Sequence, residues 1–325
     1  GDGRAILLGE VIGSDGERYD VQLKGSGITP FSRNGDGRAP LGPILREYLV
    51  SEAMAALGVA TSRTLAAVTT GEGVYREQRL PGGVLIRVAK SHIRIGTFQY
   101  FASTQDLDGL QLLIDHVIAR HYPEALDADN CALSLFEKVS QQLAELIAHW
   151  QTVGFIHGVM NTDNSHVGGI TIDYGPCAFM DDFVPMKTFS SIDRQGRYAY
   201  GNQPNLAAWN MAQLATALLP LTEDRDATVT RFTEIVQGFG DIFDTEYAAV
   251  FARKIGLTPN QETGALIDGL LKIMADIGAD FTLSFRALAL GDAHAHLGAH
   301  PDFADWHGRW QAAGPAQAAL AQVNP

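Results

Sequence analysis

Residues 157–175, HGVMNTDNSHVGGITIDYG, carry the strongest information about the fold. The segment before them predicts a helix over residues 134–153, because apolar positions recur there with a spacing near 3.6; they are Leu135, Val139, Leu143, Leu146, Ile147 and Trp150. Ser134 and Glu137 have the spacing of a capping box at the start of that helix. A polar loop follows, and residues 169–173 then alternate as a short strand does.

This order of elements is that of a protein kinase catalytic core, in which a helix, a polar loop ending in Asn, a short strand and Asp-Phe-Gly follow one another. Asn164 comes seven residues after His157, as it does in kinases, and Asp173-Tyr174-Gly175 stands in the place of Asp-Phe-Gly. An amide oxygen and a carboxylate at these positions predict a Mg²⁺ site formed by Asn164 and Asp173.

One position of the loop departs from the kinase pattern. Val159 occupies the place of the catalytic Asp, and a Val side chain cannot accept the proton of a hydroxyl group. The only carboxylate in the loop is Asp163, beside the predicted metal ligand, so the loop keeps the metal site of a kinase but lacks the kinase base. A surface turn is the alternative, since residues 161–164 are also favourable turn sequence. On this stretch alone both interpretations stay open.

Composition restricts the class of protein. The 325 residues are 46% hydrophobic, which is enough for a sizeable core and two lobes or domains. A formal net charge of −13 argues against broad binding to nucleic acids or anionic membranes. The sequence has no apolar run of about 18 residues, so we expect no membrane span. Cys131 and Cys177 do not make a disulfide framework, which favours a reducing compartment.

The first part of the chain predicts a small sheet with one helix. The expected strands are residues 5–11, 17–24, 63–68 and 83–89, and the expected helix is residues 43–57. Lys24 ends a strand and Glu47 lies on the helix, which is the order of the ion pair between strand Lys and helix Glu in kinases. The alternative is an exposed Lys and a solvated Glu.

A group of basic side chains lies at the end of the last of these strands. It consists of Arg87, Lys90, His92 and Arg94. Close to a Lys–Glu pair, such a group predicts a binding site for a polyanion in an otherwise acidic protein. A solvated strand end is the alternative interpretation.

Beyond residue 96 the pattern is almost entirely helical. The expected helices are residues 107–120, 134–153, 205–219, 224–236, 244–254, 262–276 and 313–323. A strand-rich first part, followed by a helical part with the metal loop early in it, predicts an α+β, two-lobed protein-kinase-like fold. We expect a strand-rich N-lobe over residues 1–95 and a helical C-lobe over residues 96–325.

Two further patterns carry less weight. His294 and His296 form an H-x-H pair, but no nearby Cys or HExxH motif supports a metal-dependent hydrolase. Cys177 follows Asp173 closely, but no Cys-His-Asn pattern supports a nucleophilic cysteine. Neither pattern is taken as a site.

Four stretches carry a family resemblance. They are QLKGSGITPFSRNGDGRAPLGPILREYLVSEAM, HGVMNTDN, TIDYGPCAFMD and YAYGNQPNLAAWNMAQLATALLPL. They resemble the selenoprotein O family, whose members have a kinase fold and transfer AMP from ATP to hydroxyl groups of proteins. The resemblance implies that ATP binds turned round relative to a kinase, so that its α-phosphate is presented for attack.

The resemblance also implies roles for particular residues. Lys24, paired with Glu47, matches the strand Lys that holds phosphates. Asp163 matches the proposed base, and Asn164 and Asp173 match the metal ligands. Asp173 is also expected to bind the nucleotide. The other nucleotide-binding positions are Gly1, Gly3 and Arg4 of a Gly-rich loop, Asp36 and Gly37 of a loop that closes on ATP, and Arg87 and Arg94 at the phosphates.

Three functions follow as hypotheses. The first is a Mg²⁺-dependent protein adenylyltransferase, with Mn²⁺ as the alternative ion, that modifies Ser, Thr or Tyr and releases pyrophosphate. The second is a phosphotransferase that uses Asp163 as a displaced base, and the third is a nucleotide-binding pseudokinase scaffold. The expected partners are ATP and protein substrates, without nucleic acid or membrane. The expected location is cytoplasmic in a bacterium and mitochondrial in a eukaryote.

Overall fold

The computed structural model describes residues 2–191, 193–222 and 224–324. Gly1, predicted to belong to the Gly-rich loop, lies outside them. The chain divides into two compact units: the first consists of Gly1–Leu146, Met160–Gly175 and Ala207–Gly238, and the second of Ile147–Val159, Pro176–Leu206 and Phe239–Pro325. The lobe boundary near residue 95 stays a prediction.

Strands dominate the first part of the chain and helices the rest, as predicted. The strands are β1 (Ala5–Ile12), β2 (Arg18–Lys24), β3 (Ala39–Pro40), β4 (Arg63–Tyr75), β5 (Arg79–Ala89), β6 (Phe155–Ile156) and β7 (Ala178–Phe179). The helices are α1 (Leu41–Ala56), α2 (Ile95–Ser103), α3 (Leu107–His121), α4 (Cys131–Thr152), α5 (Gln203–Leu218), α6 (Arg225–Lys254), α7 (Gln261–Ile277), α8 (Phe281–Leu290), α9 (Ala293–Leu297), α10 (Phe303–Ala312) and α11 (Gln317–Val323). Among the described residues, no helix combines the length and apolar character needed to cross a membrane.

Strand β5 is the centre of the antiparallel sheet in the first unit. It pairs with β2, β3 and β4, and β1 completes the sheet by pairing with β2. The register places Lys24 opposite Leu85, and Gln22 opposite Arg87. Lys24 and Arg87 are therefore diagonal neighbours on the same face of adjacent strands.

The polar face of β2 is its buried face. Asp20, Gln22 and Lys24 are buried, whereas Val21 and Leu23 on the opposite face are only half-buried. The predicted alternation is confirmed, and the alternative of an exposed Lys24 is wrong. A strand that buries its polar side needs partners for those groups, and helix α1 supplies one of them.

Helix α1 begins two residues earlier than its predicted start. Pro40 is its N-cap and Pro43 lies in the first turn, where the backbone nitrogen has no intrahelical acceptor. Its buried positions, Ile44, Glu47, Ser51 and Met54, repeat with helical spacing and place Glu47 among apolar neighbours.

Two local predictions around the central loop are wrong. Residues 169–173 do not form a strand, because only Thr171 makes a bridge, to Thr61. The capping box at Ser134 is absent, since α4 starts one turn earlier, where Asn130 Oδ1 accepts a hydrogen bond from the Leu133 N–H at 2.9 Å. The apolar stripe of α4 is buried as expected.

Helix α6 replaces two predicted helices, residues 224–236 and 244–254. The sequence between them contains Gly238 and Gly240, each of which costs about 1 kcal/mol in a helix interior relative to Ala. Phe239 and Phe243 are both buried on this segment. Their packing offsets the glycines and keeps the helix continuous.

Helix α2 is missing from the predicted elements. Its sequence, IGTFQYFAS, is rich in Gly, Thr and aromatic residues, which have low helix propensity. Ile95 and Phe98 are fully buried on it, so tertiary packing decides its conformation.

Core packing around β5 gives the first prediction. Leu85 is 0% exposed, so Leu85→Ala should lower the free energy of unfolding by about 2–5 kcal/mol through lost contacts and a residual cavity. Leu65, on the neighbouring strand, is 70% exposed, and Leu65→Ala should stay within about 0.5 kcal/mol of the wild type. Urea unfolding followed by circular dichroism measures both, and equal effects would contradict the assignment of Leu85 to the core.

Candidate active site

Glu47 lies at the centre of a buried group of charges in the first unit. Its Oε2 accepts a hydrogen bond from Lys24 Nζ at 2.5 Å, and its Oε1 accepts one from Arg87 Nε at 2.7 Å. Lys24 Nζ also donates to Asp173 Oδ1, and Arg87 Nη1 donates to Gln22 Oε1 at 3.2 Å. The predicted Lys24–Glu47 ion pair is therefore present, and Arg87 shares the same carboxylate.

The Asp173 carboxyl group is charged in this environment. Burial would raise its pKa, but the nearby Lys24 and Arg87 outweigh burial and hold the pKa well below its ordinary value. Two cations and two carboxylates thus balance one another here. An additional anion such as a phosphate has to change these pairings when it binds.

The backbone around Asp173 is fixed from several sides. Its φ of 65° lies in the left-handed region, which non-glycine residues adopt only when their surroundings hold them there. The Thr171 N–H donates to the Ala60 carbonyl at 2.9 Å, and Arg46 Nη1 donates to the Gly175 carbonyl at 2.6 Å. These contacts orient the carboxylate toward Lys24 without a regular strand.

Arg94 is already paired with an acidic residue of the N-terminal segment. Its Nη1 lies 3.0 Å from Asp2 Oδ2, and both side chains are largely buried. Burial would raise the pKa of Asp2, but Arg94 and the Arg4 N–H hold it below its ordinary value. Asp2 was not among the predicted site residues, and its position between the glycines of GDGR was the only signal in the sequence.

Asp163 and Asn164 belong to a single 3-10 turn, Thr162–Asn164. Asp163 is exposed, whereas the turn beneath it is supported by Asn210, whose Nδ2 donates to Ser165 Oγ at 2.6 Å and to the Met160 carbonyl at 3.2 Å. Gly96 of α2 approaches this turn so closely that a Cβ there would overlap Asp163 Oδ1. The candidate base thus lies against the start of α2.

A buried hydrogen-bond network joins the segment that bears Arg94 to the segment that follows Asp163. The Ile95 N–H donates to the Ser165 carbonyl at 2.9 Å. His166 Nε2 donates to the Ser91 carbonyl at 2.9 Å, and His166 Nδ1 accepts from the Gly168 N–H at 2.9 Å. Burial holds the pKa of His166 well below its ordinary value, so the ring is neutral and this tautomer is fixed.

His121 completes the network on its outer side. Its Nε2 lies 2.8 Å from Ser91 Oγ, and burial together with Arg120 lowers its pKa to about 4. Sequence reasoning missed Ser91, His121 and His166, because single histidines and serines scattered over many residues carry no motif.

An open cleft of about 1140 Å³ lies beside the charged group and is lined by predicted site residues. Its wall includes Gly3, Arg4, Asp36, Gly37 and Asp163, together with the α2 residues Gly96, Gln99, Tyr100 and Ser103. Asp36 faces Arg76 with both oxygens, at 2.9 and 3.0 Å, and these hydrogen bonds lower its pKa to about 2.

The predicted residues thus fall into two adjoining sets. Lys24, Glu47, Arg87 and Asp173 form the buried charged group. Gly3, Arg4, Asp36, Gly37 and Asp163 line the cleft. Arg94 belongs to neither set, but its partner Asp2 lines the cleft. Their roles in binding stay predictions.

Asp173 and Asn164, the predicted metal ligands, have a charged carboxylate and an amide oxygen, which are ligand types that Mg²⁺ accepts. The described residues contain no cluster of three or more His, Cys, Asp or Glu side chains able to hold a metal ion. Mg²⁺ commonly takes only one or two carboxylates from the protein and the rest from phosphates and water. The charged Asp173 carboxylate, with the amide of Asn164, fits that mode of binding.

The sequence matches one protein family and several relatives that share one name. The family described as "Protein adenylyltransferase SelO" matches residues 1–302. A Rhizobium etli (strain CIAT 652) protein named "Protein nucleotidyltransferase YdiU" is 54% identical over 345 residues, covering 100% of this chain and 69% of that protein.

Two further proteins carry the same name. The one from Jannaschia sp. (strain CCS1) is 63% identical over 290 residues, covering 89% of this chain and 60% of that protein. The one from Methylorubrum populi is 61% identical over 291 residues, covering 89% of this chain and 58% of that protein. The chain therefore spans between 58% and 69% of the length of these three relatives.

The shared carboxylate of Glu47 gives the second prediction. Glu47→Gln should lower the free energy of unfolding by about 3 kcal/mol, because Lys24 and Arg87 would be left buried with one anion fewer. Glu52→Gln is the matched control on the same helix: Glu52 pairs with Arg63 at a solvent-exposed position, and its loss should cost less than about 1 kcal/mol. Urea unfolding compares them, and a smaller effect at Glu47 than at Glu52 would contradict the central role of Glu47.

The depressed pKa of Asp173 gives a third prediction. Its contribution to stability is complete above the pKa of an unfolded Asp, about 4, and is lost as the pH falls below that value toward the folded pKa. Asp173→Asn should therefore be less stable than the wild type at pH 7 and should show a flatter loss of stability between about pH 4 and pH 2. Urea unfolding across this range measures both slopes, and parallel curves would show that Asp173 does not titrate in this way.

Proposed function

Because the chain belongs to the family of protein adenylyltransferase SelO, we propose that it transfers AMP from ATP to Ser, Thr or Tyr hydroxyl groups of proteins. The supporting observation is the position of Asp163. It is an exposed carboxylate on the wall of an open cleft, beside a group of buried cations. A base in that position can meet an incoming hydroxyl group while the cations hold phosphates.

We assign the chain the two-lobed protein-kinase-like fold expected from its sequence, with the N-lobe ending near residue 95. The five-stranded antiparallel sheet, α1 and the Lys24–Glu47 pair support this proposal. The Asn164 and Asp173 positions support it as well, since they follow the kinase order along the chain.

The phosphates of ATP would be held by Lys24, Arg87 and Arg94. Lys24 and Arg87 are kept in place by Glu47, and Arg94 is kept in place at the start of α2. Positioned cations in a partly dry site stabilise the charge that builds up on a transferring phosphoryl group more than they would in water. Gly3, Arg4, Asp36 and Gly37 would enclose the rest of the nucleotide.

The reaction is a substitution at the α-phosphorus. The hydroxyl oxygen of the protein substrate forms a bond to that phosphorus, the bond to the oxygen bridging the α- and β-phosphates breaks, and pyrophosphate leaves. Asp163 accepts the hydroxyl proton. A carboxylate beside the cleft replaces the kinase base, whose position is taken by Val159.

Asn164 and Asp173 would hold Mg²⁺, with Mn²⁺ as the alternative ion. When bound, such an ion neutralises phosphate charge and orients the phosphates for displacement. Asp173 is suited to this role because its carboxylate stays charged over the whole physiological range. The left-handed backbone at Asp173 fixes the direction in which the carboxylate is presented.

ATP and proteins with accessible hydroxyl groups are the partners that this activity requires. We propose a cytoplasmic location in a bacterial cell. The low pI of about 5.1 supports the absence of a nucleic-acid partner.

Transfer of label from ATP tests the proposal and is the fourth prediction. The protein is incubated with Mg²⁺ and an acceptor protein, with ATP labelled at the α-phosphate in one sample and at the γ-phosphate in the other. We expect label from the α-phosphate only, with a mass increase of one AMP on Ser, Thr or Tyr. Asp163→Asn should lower the rate by about 10²–10⁴, because the general base is removed.

Two further variants complete this experiment. Asp173→Ala should abolish metal-dependent transfer, and Lys24→Ala should weaken ATP binding and lower the rate. Lys272→Ala is the control, since Lys272 is exposed and pairs only with Asp276 among its ionic partners in the described residues. Label from the γ-phosphate would establish a phosphotransferase instead, and ATP binding without any transfer would favour the pseudokinase scaffold.

A further inference from the structure

We propose that Phe31 and Tyr100 form the surface on which the base of ATP stacks. This inference rests on the proposed function and adds the position of the nucleoside to it. Both rings line the open cleft, as does Asp163.

The phosphates and the nucleoside need different surroundings, and the first unit provides both. Lys24, Arg87 and Arg94 are all buried, so little space remains around them for anything larger than phosphate groups. The open cleft of about 1140 Å³ adjoins them through Asp2, which lines the cleft and pairs with Arg94. A triphosphate held by the buried cations therefore leaves the nucleoside in the cleft, with the α-phosphate between the two, near Asp163.

A second cavity near the sheet does not compete for the nucleoside. It is lined by Leu23, Val84 and Ile86. Successive side chains of a strand point to opposite faces, so these residues lie on the face opposite Lys24 and Arg87. A ligand there cannot reach the buried cations without passing through the sheet.

Helix α2 sets the distance between the phosphates and the proposed stacking surface. Arg94 is its N-cap, Gly96 contacts Asp163, and Tyr100 follows one turn after Gly96. With a rise of 1.5 Å per residue, Tyr100 lies about 9 Å along the axis from Arg94. Gly96 and Tyr100 share one face of α2, four residues apart. Along the helix axis the order is therefore Arg94 at the phosphates, Gly96 beside Asp163, and Tyr100 at the proposed position of the base.

The two aromatic rings contact each other edge to face, and Tyr100 meets Phe101 in the same way. The Phe31 and Tyr100 centroids are 5.6 Å apart at an interplanar angle of 82°, so one ring meets the edge of the other. Phe31 is 38% exposed and Tyr100 is 46% exposed, so both residues remain accessible from the cleft that they line. Flat aromatic surfaces bind bases by stacking, and they tolerate every base because each has a π-face.

The loop that carries Phe31 is tied to the N-terminal segment. Ser32 Oγ donates to the Gly3 carbonyl at 2.7 Å, and Thr29 Oγ1 donates to the Asp2 carbonyl at 2.6 Å. Phe31 is therefore positioned relative to Asp2 and Gly3, which border the cleft on the phosphate side.

Binding measurements test this proposal as the fifth prediction. Isothermal titration calorimetry gives the Kd of a non-hydrolysable ATP analogue and of inorganic tripolyphosphate, both with Mg²⁺. Tyr100→Ala and Phe31→Ala should each raise the Kd of the ATP analogue roughly ten- to hundredfold, the range expected for loss of one base–aromatic stack. The Kd of tripolyphosphate should change less than about twofold, because it has no base.

Two controls separate stacking from a general disturbance. Tyr100→Phe keeps the ring and should restore the affinity for the ATP analogue. Phe189→Ala removes an aromatic ring of similar exposure, 39%, that is not among the residues lining the cleft, and should leave both Kd values unchanged. In Tyr100→Ala and Phe31→Ala, the Kd values of non-hydrolysable GTP and UTP analogues should rise in parallel with that of the ATP analogue, because every base can stack.

The possible failures are distinguishable. If Tyr100→Ala weakens tripolyphosphate as much as the ATP analogue, or weakens neither, the nucleobase does not stack here and the inference is wrong. A second outcome is that Tyr100→Ala and Phe31→Ala weaken binding of the ATP analogue and leave that of tripolyphosphate unchanged, while the wild type transfers no AMP. In that case the stacking inference holds and the proposed activity is wrong. Because ATP can bind without being transferred, the binding measurement decides the stacking inference and the transfer assay decides the proposed activity.

Discussion

The pairing of the Glu47 carboxylate with two cations is the interaction on which the rest of the first unit depends. It holds Lys24 and Arg87 at once, and so connects α1 to two neighbouring strands of the sheet. Taking these charges out of water is costly, and their mutual pairing offsets that cost only while every partner is in place. A shifted helix or strand would leave a buried ion without its partner, so the pairing disfavours such shifted arrangements.

The same constraint explains why the sheet buries a polar face. An ordinary half-buried strand would turn Val21 and Leu23 inward, but β2 turns Gln22 and Lys24 inward instead. Helix α1 supplies the anion and the segment around Asp173 supplies a second one. The apolar core formed by Ala39, Ile44 and Leu85 packs beside this polar region, so the sheet holds both a core and a charged site.

Sequence patterns predicted the strand-rich and helical parts, strands β1 and β2 and the Lys24–Glu47 pair, because each rests on local periodicity or on a motif. They failed where tertiary packing decides the outcome. Helix α2 has weak propensity, and α6 continues through two glycines because buried Phe side chains hold it. Asp2, Ser91 and His166 were missed for a different reason: their importance comes from contacts between distant segments, which no local pattern records.

The contact between Asp2 and Arg94 has a consequence for which anions can enter. If Arg94 binds phosphate as proposed, Asp2 is a competitor attached to the same chain and thus present at high effective concentration. A lone inorganic phosphate ion engages too few cations to displace it. A triphosphate that reaches Lys24 and Arg87 at the same time gains several contacts for the one it breaks. The protein's own carboxylate would then act as a filter that admits polyphosphates and rejects single phosphate ions.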